Sequence, residues 1–398
     1  MNISIIRGQN QIGGNIIEIC SKNAKIILDT GSELQEKIPK VPDIKGLFQD
    51  KPNYNAVLIS HYHSDHIGLI NNILPNIPIF MGEKCYHIYK TANEYLGNKT
   101  VKISNFLQSE KEFDIVDIKV KPILCDHSAF DSYMILLYLE NKKVLYTGDF
   151  RANGRKSFYS LLNKLEKVDI LITEGTTVTR ENSKSYSEKS LEKQAIDIIK
   201  NNDAPIFALM SSTNIDRIVT FYKVAKNTNR LFLEDVYMSS ITSALGNNIP
   251  NPKDFENVKV FLTVPTEKNY SILKEYKDKK IGRKEISKRK FIMCVRSSME
   301  NYLEKLSKEI SFNGGILFYS MWKGYLENDE MKQFINFMKE KEVKIIKLHT
   351  SGHADVKTID ALIKKTEPEY IIPIHTENAK WFERYSGCKI IHDYQYNF

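Results

Sequence analysis

Four side chains that can bind metal ions fall within six residues, in the segment His61-Tyr-His-Ser-Asp-His66. The segment follows an apolar run, residues 55–60, that is typical of a buried strand, and it precedes a helical pattern that begins at Ile67. Two histidines at i and i+2 of an extended backbone point to the same side, and the next two donors come from the turn where the helix begins. Imidazole and carboxylate donors of this kind form zinc sites. Four donors this close predict two metals in one cleft, because a metal-free loop would place repelling histidines together.

Further candidate ligands stand downstream, at junctions between strands and loops. His127 follows the apolar run 121–125, and His375 follows the run 371–374. Asp149 follows a β-type run and Gly148, which allows close approach of the backbone. His353 lies in a Ser-Gly-His turn. The other histidines are interpreted as ordinary surface or core residues, and they are His87, His349 and His392.

The order of these residues resembles the metallo-β-lactamase hydrolase family, with Asp29 in Leu-Asp-Thr-Gly31 placed before the HxHxDH motif. Three downstream features resemble the β-CASP nucleic-acid-processing branch of that family, namely Glu174 at a strand end, His353 and His375. The Ser-rich segment 210–218 is similar to one in RNase J-type enzymes. The resemblance covers nearly the whole chain. It implies an α/β fold, a metallo-β-lactamase αββα sandwich with an inserted α/β β-CASP domain.

Strands that alternate with helices predict βαβ units and a parallel sheet. We expect residues 1–184 to form the first part of the metallo-β-lactamase domain and residues 185–343 to form the β-CASP insertion. Residues 344–398 are then the C-terminal return that delivers His353 and His375 to the first domain. No internal repeat and no long Gly-, Ser- or Pro-rich linker interrupts this pattern.

The resemblance implies a centre with two zinc ions per chain. The first zinc would be held by three histidines, His61, His63 and His127. The second zinc would be held by Asp65, His66 and His375, and Asp149 would bridge the two ions. Asp29 would orient a ligand histidine or an adjacent loop without touching metal.

The same resemblance implies catalytic roles for Asp65, Glu174 and His353. Two cations about 3.5–4 Å apart can share a hydroxide that attacks a phosphodiester and clamp its attacking and leaving oxygens. Glu174 would fix the tautomer of His353 and favour its protonated form. His353 would then neutralise the phosphate or protonate the leaving 3′ oxygen. The products would carry 5′-phosphate and 3′-hydroxyl ends.

Two sets of residues are candidates for contacts with the substrate. Hydroxyl and backbone groups that can donate to phosphate oxygens are Ser211, Ser212, Thr213, Ser351 and Gly352. The segment 274–290 holds nine Lys and Arg against three acids, although the whole chain has a net charge of only +8. Such a segment is either a solvated surface or a binding surface for the phosphate backbone of a nucleic acid. In the second case, Lys288, Arg289 and Lys290 would contact the phosphates.

An aromatic and basic cluster, Trp322, Lys323 and Tyr325, is of the kind that stacks nucleobases. An aromatic pair in a core is the simpler interpretation. Arg217 is interpreted either as part of the Ser-rich substrate segment or as a structural residue of the helix that follows it.

Composition sets bounds on the class of protein. The 398 residues are 42% hydrophobic and 27% charged, which is typical of a globular protein. No stretch approaches the roughly 18 apolar residues of a membrane span, and residues 1–7 do not resemble a secretory signal. The five cysteines are scattered and lack CxxC spacing, so we expect reduced thiols in a cytoplasmic protein, with Cys125 in the core.

The leading hypothesis is a zinc-dependent ribonuclease of RNase J-like type, acting in RNA processing or decay on single-stranded RNA, with a homodimer as a candidate assembly. By resemblance His375 favours RNA, since DNA-processing relatives carry an aliphatic residue there. The chain ends soon after His375, so we expect no C-terminal domain of the bacterial RNase J kind, and endonuclease and 5′-exonuclease modes both stay open. Two alternatives remain: a small-ester or lactone hydrolase on the same metal core, and a non-catalytic nucleic-acid-binding protein on the same scaffold.

Overall fold

The computed structural model describes residues 1–34, 38–180 and 186–398. The chain divides into two compact units, and the first consists of Met1–Lys184 with Gly352–Phe398. The second unit is Ser185–Ser351. Within the described residues, no helix is long and apolar enough to cross a bilayer.

The first unit contains two seven-stranded sheets. The strands of the first sheet are β1 (Asn2–Arg7), β2 (Ile16–Cys20), β3 (Lys25–Leu28), β4 (Ala56–Leu58), β5 (Ile79–Gly82), β6 (Asn105–Leu107) and β20 (Gln395–Asn397), in the order β20-β1-β2-β3-β4-β5-β6. The strands of the second are β7 (Phe113–Ile115), β8 (Ile118–Cys125), β9 (Ser132–Leu139), β10 (Lys142–Tyr146), β11 (Ile170–Glu174), β18 (Tyr370–Ile374) and β19 (Lys389–Ile390), in the order β19-β18-β11-β10-β9-β8-β7. Both sheets are mixed: β1, β2 and β3 pair antiparallel, whereas β3 to β6 and β10, β11 and β18 pair parallel.

The two sheets pack face to face, and buried side chains of both sheets form the core between them. Successive side chains of a strand point to opposite faces, so each strand of the second sheet contributes to two cores. In β9, Ile135 and Leu137 enter the core between the sheets, whereas Met134 and Leu136 enter a second core on the outer face. Helices cover the outer faces: α3 (Phe158–Lys164) and α11 (Val356–Thr366) lie on the second sheet, and α2 (Glu83–Leu96) packs on β5. A one-turn helix, α1 (Ser64–Ile67), follows β4. The α/β sandwich expected from the sequence is confirmed.

The second unit has one six-stranded parallel sheet, as the βαβ pattern predicted. Its strands are β12 (Ile206–Leu209), β13 (Leu231–Asp235), β14 (Val258–Phe261), β15 (Phe291–Val295), β16 (Ile316–Tyr319) and β17 (Lys344–Lys347), in the order β14-β13-β15-β12-β16-β17. Its helices are α4 (Glu188–Ile199), α5 (Ile215–Asn227), α6 (Val236–Ser243), α7 (Glu267–Lys274), α8 (Arg283–Ile286), α9 (Glu300–Ser307) and α10 (Asp329–Glu340).

The strand β17 corrects one expected boundary. Residues 344–347 were assigned to the C-terminal return, but they pair in parallel with β16, from Ile316↔Lys344 to Tyr319↔Lys347. The inserted sheet therefore continues past residue 343, and the unit ends at Ser351. The sequence could not show this, because an apolar run at an edge strand does not identify the sheet it joins.

Arg217 is a structural residue of the second unit. Its side chain is fully buried, and its guanidinium forms bonds of 3.0 and 3.1 Å to the Glu188 carboxylate. It also donates to the carbonyl oxygens of Ser320 and Leu348, and Thr220 donates to Glu188. The hydrogen bonds of this buried ion pair are made with groups of its own unit.

Candidate metal centre

The candidate ligands lie at the ends of neighbouring strands of the first unit. His61 and His63 follow β4, and Asp65 and His66 lie on α1. The remaining groups follow or end strands of the second sheet, or precede α11, and they are His127, Asp149, Glu174, His353 and His375. Several strand and helix ends therefore deliver these side chains, which explains why they are far apart in sequence.

Asp149 is the centre of the cluster. Its Oδ2 lies 3.3 Å from Nε2 of His66 and 3.5 Å from Nδ1 of His353. The same oxygen lies 3.8 Å from an Nε2 atom of each of three more histidines, His61, His127 and His375. Ligating atoms within 4.8 Å of one another define three groups, and all three share Asp149. Its partners are His61, His63 and His127 in the first group, Asp65, His66 and His375 in the second, and Glu174, His353 and His375 in the third.

Three of the histidines are held through one ring nitrogen, which leaves the other directed at the cluster. Nδ1 of His127 lies 2.5 Å from the Gly352 carbonyl oxygen, so this nitrogen carries the hydrogen and donates it. Nδ1 of His66 contacts Asp29, and Nδ1 of His375 lies 2.8 Å from the Thr176 hydroxyl. Such outer partners fix the tautomer of a metal-binding imidazole.

The remaining polar atoms fit a cation better than they fit one another. Both carboxylate oxygens of Asp149 and Nε2 of His61 are buried without a hydrogen-bond partner among the described residues. Buried polar groups left in this state are costly, and a bound cation would satisfy all of them. The residues present therefore fit a metal centre.

Three of the candidate histidines have protonation states that favour metal binding. Burial, followed by the neighbouring imidazoles, holds the pKa of His61 and the pKa of His127 well below the usual value. Burial also lowers the pKa of His63, to about 4, although nearby carboxylates oppose this. Neutral imidazoles keep the lone pair that a metal requires. In His66, burial opposes the charged form, but the carboxylates of Asp149 and Asp29 hold its pKa well above the usual value. Burial opposes ionisation of Asp149, but the surrounding histidines hold its pKa well below the usual value.

Asp29 holds one wall of the cluster. Its carboxylate lies 2.7 Å from Nδ1 of His66 and accepts from the backbone N–H and the hydroxyl of Ser60, each at 2.7 Å. The Tyr146 hydroxyl donates to the same carboxylate at 2.5 Å. The sequence predicted the orienting contact of Asp29 with a histidine, but it missed Ser60 and Tyr146. Ser60 directly precedes His61, and that adjacency was its only signal.

Glu174 and His353 form a pair beside the cluster. Nδ1 of His353 lies 3.0 Å from Oε2 of Glu174, whose side chain is fully buried. Burial alone would lower the pKa of His353, but the negative charges of Glu174 and Asp149 raise it to about 9. The Thr176 hydroxyl donates to Oε2 of Glu174 at 2.6 Å. Thr176 was missed by the sequence analysis, although it stands two residues after Glu174.

Two local features of the backbone help to position His375 and His127. His375 has a φ of 49°, in the left-handed region that non-glycine residues rarely adopt, and such strain is common at functional sites. Gly352 packs against His127 and Ser128, where a Cβ would overlap the Ser128 hydroxyl. A side chain at residue 352 would therefore disturb the carbonyl that holds His127.

Asp126 joins the loops that carry two of the ligands, although no motif in the sequence marks it. Its buried carboxylate accepts from Nε of Arg151 at 2.6 Å and from the backbone N–H of Lys156 at 2.6 Å. Asp126 precedes His127, and Arg151 comes two residues after Asp149. This buried ion pair thus fixes the loop after β10 against the loop after β8. Cys125, next to it, is buried and donates its S–H to the Ser132 carbonyl, as expected for a core thiol.

The predicted substrate residues, apart from Gly352, belong to the inserted unit. Ser212 is buried and its hydroxyl accepts from Arg296, whereas the hydroxyls of Ser211 and Thr213 bond to each other at 2.9 Å. The basic residues 288–290 are exposed, and Lys290 pairs with Asp203. The remaining predicted contact is Ser351, the last residue of the unit. A role of these residues in binding stays a prediction.

Comparison with known proteins relates the chain to metal-dependent hydrolases. Residues 10–195 match the model of the metallo-beta-lactamase superfamily, and residues 339–387 match that of the Zn-dependent metallo-hydrolase RNA specificity domain. The chain is 22% identical to ribonuclease J of Pyrococcus abyssi over 95% of this chain and 90% of that protein. It is 21% identical to ribonuclease J of Sinorhizobium meliloti over 88% of this chain, and it spans 62% of the length of that relative.

A solved structure supports the fold. A protein of unknown function from Enterococcus faecalis V583 superimposes with a TM-score of 0.82 at 19% identity, over 99% of each chain. The inserted unit is therefore part of a shared architecture.

Proposed function

Because the chain is an RNase J-like, β-CASP-type protein of the metallo-β-lactamase superfamily, we propose that it is a zinc-dependent ribonuclease. It hydrolyses phosphodiester bonds of single-stranded RNA and leaves 5′-phosphate and 3′-hydroxyl ends. The observation that carries the proposal is the Glu174–His353 pair, with His353 3.5 Å from Asp149 at the edge of a cluster that fits two metals. Such an acid next to the metals can protonate the 3′ oxygen that leaves when a phosphodiester is hydrolysed.

The proposed metal ligands are two triads joined by one carboxylate. His61, His63 and His127 would hold one zinc, Asp65, His66 and His375 would hold the other, and Asp149 would be shared by both. When bound, two divalent cations lower the pKa of water to about 7 and stabilise the charge that develops on phosphate. Zinc suits the donor set, because imidazole and carboxylate are its usual ligands apart from thiolate.

Other residues of the site orient the ligand histidines and hold the proton for the leaving group. Asp29 keeps His66 in one orientation, and the Gly352 carbonyl does the same for His127. Glu174 receives the Nδ1 hydrogen of His353, which leaves Nε2 as the group that can face a substrate. The raised pKa of His353 keeps a proton available at neutral pH, which suits a general acid.

The test compares His353→Ala, His375→Ala and His87→Ala. His353→Ala is expected to keep both metals and bind RNA, while turnover of single-stranded RNA falls by roughly 10²–10⁴-fold. His375→Ala is expected to lose one metal. His87→Ala is the control, because this histidine lies on the surface of α2, where it pairs with the exposed Glu83 one turn earlier. Metal content by elemental analysis and product ends by chromatography are the readouts.

Four results would contradict the proposal. Rapid hydrolysis of a lactone without cleavage of RNA would identify a small-ester hydrolase. Products with 2′,3′-cyclic phosphate would exclude direct attack by water on phosphorus. Loss of a metal in His353→Ala, with both metals kept in His375→Ala, would show that the roles of the two histidines are reversed. Full activity without metal would exclude the mechanism.

A further inference from the structure

An exposed aromatic pair follows β16 in the inserted unit. Trp322 and Tyr325 are 46% and 49% exposed, and their rings meet edge to face with centroids 5.7 Å apart. Lys323, between them in sequence, is also exposed. The interpretation of this pair as part of a core is therefore wrong, and large apolar surface is left in contact with solvent.

The pair is held in place by its own turn. The Trp322 carbonyl oxygen accepts from the Tyr319 hydroxyl at 2.9 Å and from the Tyr325 backbone N–H at 3.2 Å. The indole of Trp322 lies against Gly324, where a Cβ would overlap three carbons of the ring. The turn thus fixes the exposed indole before any ligand arrives, which lowers the entropy cost of binding.

The aromatic pair lies beside the Ser-rich segment 210–218 at one edge of the sheet. Strands β12 and β16 are neighbours with Leu209 opposite Tyr319, and the Ser320 N–H donates to the Leu209 carbonyl at 2.9 Å. Ser211 comes two residues after Leu209, and Trp322 comes three residues after Tyr319. Neighbouring strands lie about 4.8 Å apart, so the two loops leave the same edge of the sheet side by side. The carboxyl edge of a parallel sheet is where α/β units bind ligands.

The charges around the pair favour ring faces over phosphates as its target. Glu327 and Asp329 follow Tyr325 closely, and Lys332 lies 3.9 Å from each carboxylate. Lys323 is balanced by these acids, so the surface has no excess positive charge for a phosphate backbone. Aromatic side chains stack on bases of any sequence, because every base has a π-face.

We propose that Trp322 and Tyr325 form a stacking platform for unpaired bases of the RNA substrate. The proposal rests on the proposed ribonuclease function and adds a contact to it. The platform contributes affinity through the bases, so its contribution does not depend on salt, whereas contacts to phosphates do.

The first experiment measures binding of a labelled single-stranded RNA by fluorescence anisotropy. The metal-loaded protein carries His353→Ala in every sample, so that cleavage is slow. Trp322→Ala is expected to weaken binding roughly tenfold, by the same factor at every salt concentration, because stacking releases no counterions. With an RNA of equal length that lacks bases, the substitution is expected to have no effect. Trp322→Phe is expected to restore most of the affinity.

A matched control and a weaker variant sharpen this measurement. Tyr270→Ala removes a tyrosine with the same 49% exposure from α7 of the same unit, and it is expected to leave binding unchanged. Gly324→Ala displaces the indole from the turn and is expected to weaken binding less than Trp322→Ala does.

The second experiment uses the fluorescence of Trp322. The chain has two tryptophans, and Trp381 is buried in the first unit, so Trp381→Phe leaves Trp322 as the only tryptophan emitter. Single-stranded RNA is expected to quench this emission, and polylysine is not.

The outcomes separate the platform from the ribonuclease proposal. RNA cleavage by the protein without quenching, and with equal affinity of Trp322→Ala, would overturn the platform alone. Quenching and base-dependent binding without any cleavage would support the platform while the enzyme proposal fails. Quenching by polylysine but not by RNA would show that the surface binds a basic protein, which also overturns the platform.

Discussion

Both units bury a cluster of charged groups, but the two clusters differ in whether all their polar atoms have hydrogen-bond partners. In the inserted unit, Glu188 and Arg217 are fully buried, and their partners Thr220, Ser320 and Leu348 complete the network. In the first unit, both oxygens of Asp149 are buried without a hydrogen-bond partner among the described residues. A closed network is typical of a structural cluster, whereas buried polar groups that lack partners and are directed at one point are typical of a ligand-binding site.

This difference predicts opposite consequences of substitution. Asp149→Asn is expected to reduce bound metal from two equivalents to one or none. Cleavage of RNA should fall roughly 10³-fold or more, because a metal ion supplies several kcal/mol of transition-state stabilisation. The far-ultraviolet circular dichroism should stay that of the wild type. If Asp149→Asn retains both metals and full turnover, Asp149 is not part of the centre.

Arg217→Met is expected to act on stability alone. Removing one partner of a buried ion pair leaves the Glu188 carboxylate uncompensated, at a cost of about 3–5 kcal/mol in the free energy of unfolding of its unit. Denaturant titration measures the change, and elemental analysis should still find two metals. The double variant with Glu188→Met is expected to be more stable than Arg217→Met by itself. Loss of metal in Arg217→Met would contradict the view that the Glu188–Arg217 cluster is structural only.

Asp29→Asn tests the outer contacts of the metal cluster. The asparagine can still accept from Ser60, but it no longer carries the charge that orients and polarises His66. Metal affinity is expected to fall by roughly 10–100-fold, as is usual for such partners. Competition with a metal chelator measures it. An unchanged affinity would mean that the geometry of His66 is set by the backbone of α1.

Glu234 is an exception within the inserted unit, and it predicts a dependence on pH. Its side chain is fully buried, with one oxygen bonded to Thr242 and the other without a partner among the described residues. Burial raises its pKa from 4.5 to about 8. A raised carboxyl pKa means that the unfolded chain releases the proton first, so stability is lost as pH rises from about 4.5 to 8.

Glu234→Gln is therefore expected to be more stable than the wild type at pH 8, by about 1–3 kcal/mol, and similar to it at about pH 4.5. Thermal melting across this range measures the difference. Parallel curves for the two proteins would show that Glu234 finds a partner that keeps it ionised.

Local patterns in the sequence predicted much of the fold and of the metal cluster. Strands such as β3 and β18 are short apolar runs with polar ends, and the HxHxDH segment contains four donors in one motif. The contacts missed were those between distant segments. Tyr146 meets Asp29 across 117 positions, and no periodicity marks such a pair. The sheet joined by β17 and the exposure of Trp322 were equally invisible, because both depend on the neighbours that the fold supplies.

The Thr176 hydroxyl has a consequence for which substitutions the site can accept. It has a single hydrogen, which it donates to Glu174, so towards His375 it can only accept. A histidine that ligates through Nε2 carries its hydrogen on Nδ1, and the chain of bonds from His375 through Thr176 to Glu174 then runs in one direction. Serine preserves that direction, whereas valine, although it has the same shape, interrupts it. The site therefore requires the hydroxyl hydrogen of residue 176, and the volume of the side chain matters less.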